Sequence, residues 1–476
     1  MKRGSYTTTL KFRCTTVLIA LAFLVSTPVA MMARAQTVRP QLPFYNFAPT
    51  PPMGWNSYDA FGDTVTEDQV LANAKYVKKK LLSHGWNYIV IDFRWYDPDP
   101  PGNDFLLNKL RTGAKLPADG FGRLLPAVNR FPSSANGEGF KPLGDKLHKM
   151  GLKFGVHYMR GIPRQAVLAK TPIADSEFTA ADAGDPSRPG EWCPDMFGVR
   201  NNAAGQAWYD SLFKLFASWG VDFVKVDDIS PNYRTAESEM IRRAIDRSGR
   251  AIVYSISAGP PARSDAENVA THVNMWRISS DFWDRWSSLN HQFDLMYPWH
   301  DFIGPGHYPD ADMIPFGHIA IRSKAGGDDR VSRFSHDEQI MLMSFWCLAP
   351  SPLMLGGNLP DNTPWDLSVI TNDEVLALDQ DSLVKPATRV SQEGPPSARS
   401  EVWVRELKDG NRAVGLFNRS ENATEVTLKW DEASLSGKWI ARDLWQHKNL
   451  GEFDTKLTLQ VPAHGAVLLK LTPASK

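Results

Sequence analysis

Short apolar runs alternate with amphipathic stretches along most of the chain. The runs with strand-like composition lie at 53–58, 88–95, 153–159, 222–229, 251–257, 275–279 and 352–357. Apolar residues at helical spacing separate several of them, as at 67–85 and 142–151. Strands that alternate with helices indicate βα units around a parallel sheet. Seven or eight such units in about 330 residues favour an α/β fold of the (β/α)₈ TIM-barrel type, assigned to 48–382, over an open sheet.

The pattern changes near residue 383. Short strand-like runs with turn residues between them follow at 401–407, 413–419, 424–430, 437–445 and 465–471, without helical periodicity. Such a series is typical of antiparallel sheets. We therefore predict a C-terminal antiparallel β-sandwich domain over 383–476.

Residues 1–35 have the pattern of a secretory signal peptide. Basic residues come first, no charge occurs from 14 to 33, and Ala33-Arg34-Ala35 is a small-residue cleavage motif before Gln36. The alternative is an uncleaved membrane anchor, but the apolar core is short for a span. We expect a secreted or periplasmic protein, with no membrane span once the segment is cleaved.

Charge and cysteine content exclude some classes of partner. Without residues 1–35 the chain carries 48 Lys and Arg against 53 Asp and Glu, a net charge of −5. No polybasic surface follows, so nucleic acid is not expected as a partner. The two remaining cysteines, Cys193 and Cys347, form neither a disulfide framework nor a zinc motif. We expect no metal and no cofactor, and the sequence does not predict the oligomeric state.

Polar residues arrive late in successive predicted strands. The stretch FVKVDDIS (223–230) ends on adjacent aspartates, and Asp92, His157, Asp227, Arg277 and Asp281 occupy comparable positions. In barrel enzymes the catalytic groups lie at the carboxyl ends of the strands. These side chains are therefore expected to share one mouth of the barrel.

Six segments in order resemble glycoside hydrolase family 27, the α-galactosidase family. They are PPMGWNSYDAFG (51–62), YIVIDFRWY (88–96), FVKVDDI (223–229), MWRISSDFWDRW (275–286), GPGHYPDADM (304–313) and WCLAPSPLMLGGNL (346–359). The resemblance implies a retaining exo-glycosidase that releases terminal α-galactosyl residues by a two-aspartate double displacement. Its partner would be an oligosaccharide or glycoside substrate.

The resemblance also assigns roles to residues. Asp227 matches the nucleophile, with Lys225 nearby to keep it ionised, and Asp281 falls where the family has its acid/base. Arg277 would bind sugar hydroxyls and a carboxylate. The remaining matches to sugar-binding positions are Trp55, as the stacking residue, together with Asp92, His157, Asp312 and Met313.

The chain departs from the family pattern at the sugar-selecting positions. In the family, two adjacent aspartates bind the hydroxyls at the far edge of the sugar ring, and Phe93 replaces the second of them. His157 stands where many members have Tyr. Segment 254–260 lacks the family's Cys-Glu-Trp. Ile229 occupies the position of a disulfide partner for Cys193, so Cys193 is expected to be a free thiol.

Three alternatives to an α-galactosidase stay open. The same mechanism could act on another pyranoside, such as a β-L-arabinopyranoside, which lacks the hydroxymethyl arm of galactose. A non-catalytic carbohydrate-binding barrel is disfavoured because Asp227 and Asp281 are both present. A metal- or phosphate-dependent barrel enzyme lacks support, since the chain has neither a Gly-rich phosphate loop nor metal-ligand spacing.

Overall fold

The computed structural model describes residues 41–102, 115–190, 192–396 and 398–474. The predicted signal segment, 1–35, lies outside these residues. Within the described ranges, no helix combines the length and apolar character needed to cross a bilayer.

Eight parallel strands form the central sheet. They are β1 (Met53–Asn56), β2 (Tyr88–Ile91), β3 (Lys153–Met159), β4 (Phe223–Asp227), β5 (Val253–Ile256), β6 (Met275–Arg277), β7 (Tyr308–Asp310) and β8 (Leu353–Leu355). Their order across the sheet is β7-β6-β5-β4-β3-β2-β1-β8. A parallel bridge between Ile314, just past β7, and Leu355 joins the two ends. The sheet therefore curls into the predicted barrel.

Helices and short hairpins connect the strands. Within the part of the chain that the structure describes, the α-helices are Tyr58–Phe61, Glu67–Tyr76, Lys141–Lys149, Arg164–Ala169, Ala180–Ala183, Ala203–Ser218, Thr235–Ser248, Ala266–His272, Trp286–Met296, His336–Leu348, Pro364–Ile370 and Asp373–Asp379. Short antiparallel strands lie at Ile162–Pro163, Gly184–Pro189, Met196–Val199, His318–Ile319 and Arg330–Val331. The helix predicted over 67–85 begins with a capping box of Thr66 and Gln69, then continues past Tyr76 as a π-helical turn.

Strand periodicity decides which side chains enter the barrel. Tyr88, Val90 and Phe223 belong to an inner apolar cluster, whereas Ile89 and Val224 pack in the large outer cluster. Side chains along a strand alternate between faces. The polar residues that continue the inner set along each strand therefore point towards the barrel axis, and they converge beyond the carboxyl ends of the strands.

The C-terminal region contains two antiparallel sheets. Its strands are β9 (Thr388–Glu393), β10 (Ser400–Glu406), β11 (Arg412–Asn418), β12 (Thr424–Lys429), β13 (Trp439–Asp443), β14 (Lys448–Phe453), β15 (Lys456–Val461) and β16 (Gly465–Pro473). One sheet has the order β9-β10-β11-β16-β13-β14, and β12 pairs with β15 in the other. Apolar residues from both sheets form a shared core, which confirms an antiparallel C-terminal domain. The boundary predicted at 383 stays a prediction, because the compact unit that begins at Gln41 includes both regions.

The helix Trp286–Met296 lies between the barrel and the C-terminal sheets. Arg419, after β11, pairs with Asp294 of the helix at 3.0 Å between Nη2 and Oδ2. The ring of His464 stacks on Trp286, with 3.6 Å between ring centroids. The C-terminal domain thus holds one side of this helix.

Candidate active site

A cavity of about 330 Å³ lies at the carboxyl ends of the barrel strands. Its charged lining residues are Asp59, Asp92, Lys225, Asp227, Arg277, Asp281 and Asp312, and its aromatic ones are Tyr58, Trp192, Phe282 and Trp283. Met313 also lines it. Seven of the nine predicted site residues therefore share one cavity. The two that do not line it are His157 and Trp55.

Asp227 ends β4 and is 7% exposed. Its Oδ2 lies 3.0 Å from Nε2 of His157, and its Oδ1 accepts the Asp228 N–H at 2.6 Å. Burial raises the pKa of Asp227. The hydrogen bond and charge of His157, and then the charge of Lys225, lower the pKa by more than burial raises it. The net pKa lies below the ordinary value, so the carboxylate is held ionised.

Lys225 is bonded to Asp92 rather than to Asp227. Its Nζ lies 3.0 Å from Oδ2 of Asp92, which also accepts from Nδ2 of Asn56 at 2.7 Å. Burial raises the pKa of Asp92, yet Lys225, His157 and the hydrogen bond from Asn56 bring it down to about 2. Lys225 acts on Asp227 only through its charge, whereas His157 contacts Asp227 directly.

Arg277 ends β6 and connects two further carboxylates. Its Nη2 lies 2.6 Å from Oδ2 of Asp312 and 3.4 Å from Oδ1 of Asp281. The two acids differ in environment, because the side chain of Asp281 is 43% exposed and that of Asp312 is 3% exposed. Burial raises the pKa of Asp312 to about 6, with Arg277 opposing the rise and the charges of Asp281 and Asp310 adding to it.

Trp55 does not reach the cavity, contrary to its predicted stacking role. It is 0% exposed and its Nε1 donates to the carbonyl of Gly357 at 2.8 Å. In the sheet register it pairs with Ile89, which faces the outer helices. The alternation of β1 therefore turns Trp55 outwards. Three residues later in the same motif, Tyr58 lines the cavity instead.

Phe93 also stays beneath the surface of the cavity. It is 1% exposed and packs against His157 and Trp192, with centroid distances of 5.5 and 4.8 Å. Trp192 lies above it and lines the cavity. Where the family resemblance places a second carboxylate, this wall of the cavity is an indole supported by Phe93.

Two further buried acids, Asp228 and Asp59, lie close to the site but have no role assigned from the sequence. Asp228 points away from the cavity, and its Oδ2 pairs with Nη2 of Arg160 at 3.2 Å. Asp59, which sequence reasoning missed, lines the cavity at 1% exposure. Among the described residues its Oδ2 has no hydrogen-bond partner. Burial, then the charge of Asp312, raises the pKa of Asp59 well above its ordinary value.

The cysteine prediction is confirmed. Cys193 and Cys347 are both free and buried. The Sγ of Cys193 lies 3.4 Å from Oδ2 of Asp195, and burial, with the charge of Asp195 next, raises the pKa of the thiol.

The arrangement fits the cleavage of a glycosidic bond. Asp227 is buried and held ionised, while Asp281 lines the same cavity and stays open to solvent. Hydrolysis of a glycoside needs two carboxyl groups that flank the scissile bond. Two carboxyl groups in one cavity at the carboxyl mouth of a parallel barrel form the arrangement expected of a glycoside hydrolase.

Comparisons with known proteins narrow this class. A family model described as "Alpha galactosidase A" matches residues 202–381, and one described as "Alpha galactosidase C-terminal beta sandwich domain" matches 397–471. The α-galactosidase of Cyamopsis tetragonoloba is 30% identical over 452 residues, covering 93% of this chain and 91% of that protein. α-Galactosidase A of Cellvibrio japonicus is 26% identical, covering 96% and 99%.

Among solved structures, a GH27 β-L-arabinopyranosidase from Geobacillus stearothermophilus in complex with arabinose superposes with a TM-score of 0.87. It is 45% identical, over 92% of this chain and 100% of that one. The chain belongs to glycoside hydrolase family 27.

Proposed function

We propose that the protein is a retaining exo-glycosidase that cleaves terminal β-L-arabinopyranosides best and α-galactosides second. The observation that carries the proposal is the cavity wall formed by Trp192 over Phe93, beside the single carboxylate of Asp92. The sequence alone placed α-galactosides first. The order is reversed because this wall offers apolar surface where a hydroxymethyl arm needs hydrogen-bonding groups.

The proposed mechanism uses the two carboxylates in sequence. Asp227 attacks the anomeric carbon, and Asp281 protonates the departing oxygen. Asp281 then takes a proton from the water that releases the sugar. The buried Asp227 is kept ionised by His157, as a nucleophile requires, and the half-exposed side chain of Asp281 has access to that water.

The magnitude of the substrate preference follows from hydrogen bonding. Asp92, with Lys225 and Asn56 bonded to it, retains charged groups for ring hydroxyls. A hydroxymethyl oxygen that faces Trp192 cannot form a charge-assisted hydrogen bond, which is worth about 1.5–3 kcal/mol. Its loss weakens binding roughly 10- to 100-fold. A ring without that arm loses nothing. The 45% identity to a β-L-arabinopyranosidase supports this order, and the α-galactosidase relatives support the second substrate.

The test compares 4-nitrophenyl β-L-arabinopyranoside with 4-nitrophenyl α-D-galactopyranoside. We expect kcat/KM to be at least tenfold higher for the arabinoside, with the anomeric configuration retained in the first product seen by NMR. The Asp227→Asn variant, purified in parallel, controls for contaminating glycosidases. A tenfold preference for the galactoside would overturn the substrate order, and an inverted product would overturn the mechanism.

Export is part of the proposal and rests on the pattern of residues 1–35. Protein recovered from the medium or periplasm of a producing bacterium should begin at Gln36. A cytoplasmic, uncleaved product would contradict it.

A further inference from the structure

The proposed acid, Asp281, lies on a segment without regular secondary structure. Residues 278–285 connect β6 to the helix Trp286–Met296, and the side chain of Asp281 is 43% exposed there. Nη2 of Arg277 lies 3.4 Å from its Oδ1, which is long for a hydrogen bond. A general acid must come within about 2.6–3.2 Å of the atom that it protonates. The groups that fix the backbone of this segment therefore bear on catalysis.

Two contacts fix the segment just beyond Asp281. The next residue, Phe282, donates its N–H to Oδ2 of Asp312 at 2.7 Å, and Asp312 lines the catalytic cavity. Three residues beyond Asp281, the side chain of Asp284 is 0% exposed and lies outside the cavity. The first contact belongs to the site already described, whereas the second reaches a different part of the chain.

The carboxylate of Asp284 is bound by Arg330, which belongs to the hairpin of His318–Ile319 and Arg330–Val331. Nε of Arg330 donates to Oδ2 at 2.9 Å and Nη2 donates to Oδ1, so two parallel hydrogen bonds join the guanidinium to the carboxylate. The backbone N–H of Arg333 donates to Oδ2 at 2.8 Å. A bidentate pair of this kind fixes direction as well as distance.

An aspartate at this place in the chain usually has another role. Asp residues that precede a helix commonly cap its free N–H groups. The helix Trp286–Met296 begins two residues after Asp284, but within the described chain no side chain caps it. Asp284 binds the hairpin instead. Stability alone is a weak reason for a charged pair buried this deeply, because apolar residues in its place are often as stable.

The hairpin is itself attached to the barrel. The N–H groups of Ala320 and Arg322 donate to carbonyl groups of the helix Tyr58–Phe61, at 2.7 and 3.2 Å. Gly326 packs so closely on Trp283 that a Cβ there would overlap the indole ring. Trp283 lines the catalytic cavity. The hairpin thus holds both this cavity side chain and the carboxylate that follows it in the sequence.

We propose that Asp284 and Arg330 are positioning residues for the general acid. The pair between them ties the segment that carries Asp281 to the hairpin, and so sets where the acid meets the glycosidic oxygen. Neither of the two side chains lines the catalytic cavity. A displacement of about 1 Å in a reacting group can cost 10²-fold in rate. The inference rests on the proposed function, because it takes Asp281 as the acid.

The test separates positioning of the acid from support of the fold. An acid matters most when the leaving group is poor, so each enzyme is assayed with the phenyl and the 2,4-dinitrophenyl glycoside of the same sugar. The measured quantity is the ratio of kcat/KM for the phenyl glycoside to that for the dinitrophenyl glycoside. We expect Arg330→Ala to lower this ratio at least tenfold. Arg333→Ala is the matched control, because that side chain lies 3.7 Å from the same carboxylate but is 54% exposed. Its ratio should stay within twofold of wild type.

An unchanged ratio in Arg330→Ala, or an equal fall in both variants, would overturn the inference. Should Arg330→Ala not fold, Arg330→Lys takes its place, since it keeps a positive charge beside the buried carboxylate but cannot form the two parallel bonds. Its ratio should fall at least threefold, and a wild-type ratio in the folded Arg330→Lys protein would refute the positioning role.

Asp281→Ala, measured alongside, distinguishes the two levels of the argument. A wild-type ratio in Asp281→Ala would show that Asp281 is not the acid, and the proposed function would fail together with this inference. A fall in Asp281→Ala without a fall in the Arg330 variants would leave the proposed function intact and overturn the positioning inference alone.

Discussion

Replacing Asp312 with Asn removes a cavity carboxyl whose titration is coupled to folding. Asp312 is 3% exposed, and burial raises its pKa to about 6 from an ordinary value of 3.8, with Arg277 opposing the rise. A raised folded-state pKa means that the folded protein binds this proton more tightly than the unfolded chain. The resulting stability is fully present below pH 3.8 and is lost as the pH rises through about 6.

The size of the effect follows from the shift. A difference of roughly two pKa units corresponds to about 3 kcal/mol at most. Between pH 7 and pH 5 the folded Asp312 becomes mostly protonated while the unfolded one stays ionised, so about 1 kcal/mol of this stability is gained. The Asp312→Asn variant has a side chain of the same shape that does not titrate, and it lacks this gain.

The assay is urea unfolding, followed by tryptophan fluorescence, at pH 7, 6 and 5. The free energy of unfolding of wild type, minus that of Asp312→Asn, should rise by about 1 kcal/mol from pH 7 to pH 5. A difference that stays flat, or falls, would show that Asp312 does not carry a raised pKa in the folded protein.

Other predictions concern the nucleophile, the acid and the thiols. Asp227→Asn should lower kcat at least ~10⁴-fold with the thermal midpoint nearly unchanged. An activated fluorosugar should label Asp227 in wild type, and a label elsewhere would refute its role. Asp281→Ala should lose far more activity on substrates with poor leaving groups than on activated aryl glycosides, and azide should rescue only the latter; equal losses would reduce it to a binding role. His157→Phe removes the hydrogen bond that lowers the pKa of Asp227, so the acid limb of kcat/KM should move to higher pH, and an unmoved limb would contradict this. Thiol titration of denatured, unreduced protein beginning at Gln36 should find two thiols, Cys193 and Cys347, and zero would disprove the free-thiol assignment.

The barrel could be predicted because its buried strands are continuous apolar runs. The run predicted at 153–159 coincides with β3, and the others extend beyond their strands by a few residues. β7 was missed because Tyr308–Asp310 is short and contains Pro309, which argues against a strand. In the C-terminal domain β9 and β14 were missed, since they are largely polar and lack a clear apolar alternation. β15 was also missed, although its sequence KLTLQV alternates polar and apolar residues as a half-buried strand does.

Strand ends predict part of the site, and the family resemblance adds Asp281, Asp312 and Met313, which lie beyond the strands and also line the cavity. Asp92, Lys225, Asp227 and Arg277 lie on or directly after barrel strands, so their strands alone bring them together. The strand alternation that excludes Trp55 was also legible in the sequence, because Asn56 and Trp55 must face opposite ways. Trp192 could not be found this way. It lies in the short connection between the antiparallel strands Gly184–Pro189 and Met196–Val199, where no periodicity indicates which side chain returns to the cavity.

The contact between Arg419 and the helix Trp286–Met296 has a consequence for how this enzyme can be engineered. Arg419 and His464 contact this helix at Asp294 and Trp286, and Ser288, His291, Gln292 and Leu295 of the same helix line a cavity of about 290 Å³ that also includes Asp281. Removing the C-terminal domain, or exchanging it for that of a relative, would remove the contacts that Arg419 and His464 make with this helix. The C-terminal domain therefore supports a helix beside the catalytic cavity and is not a detachable module.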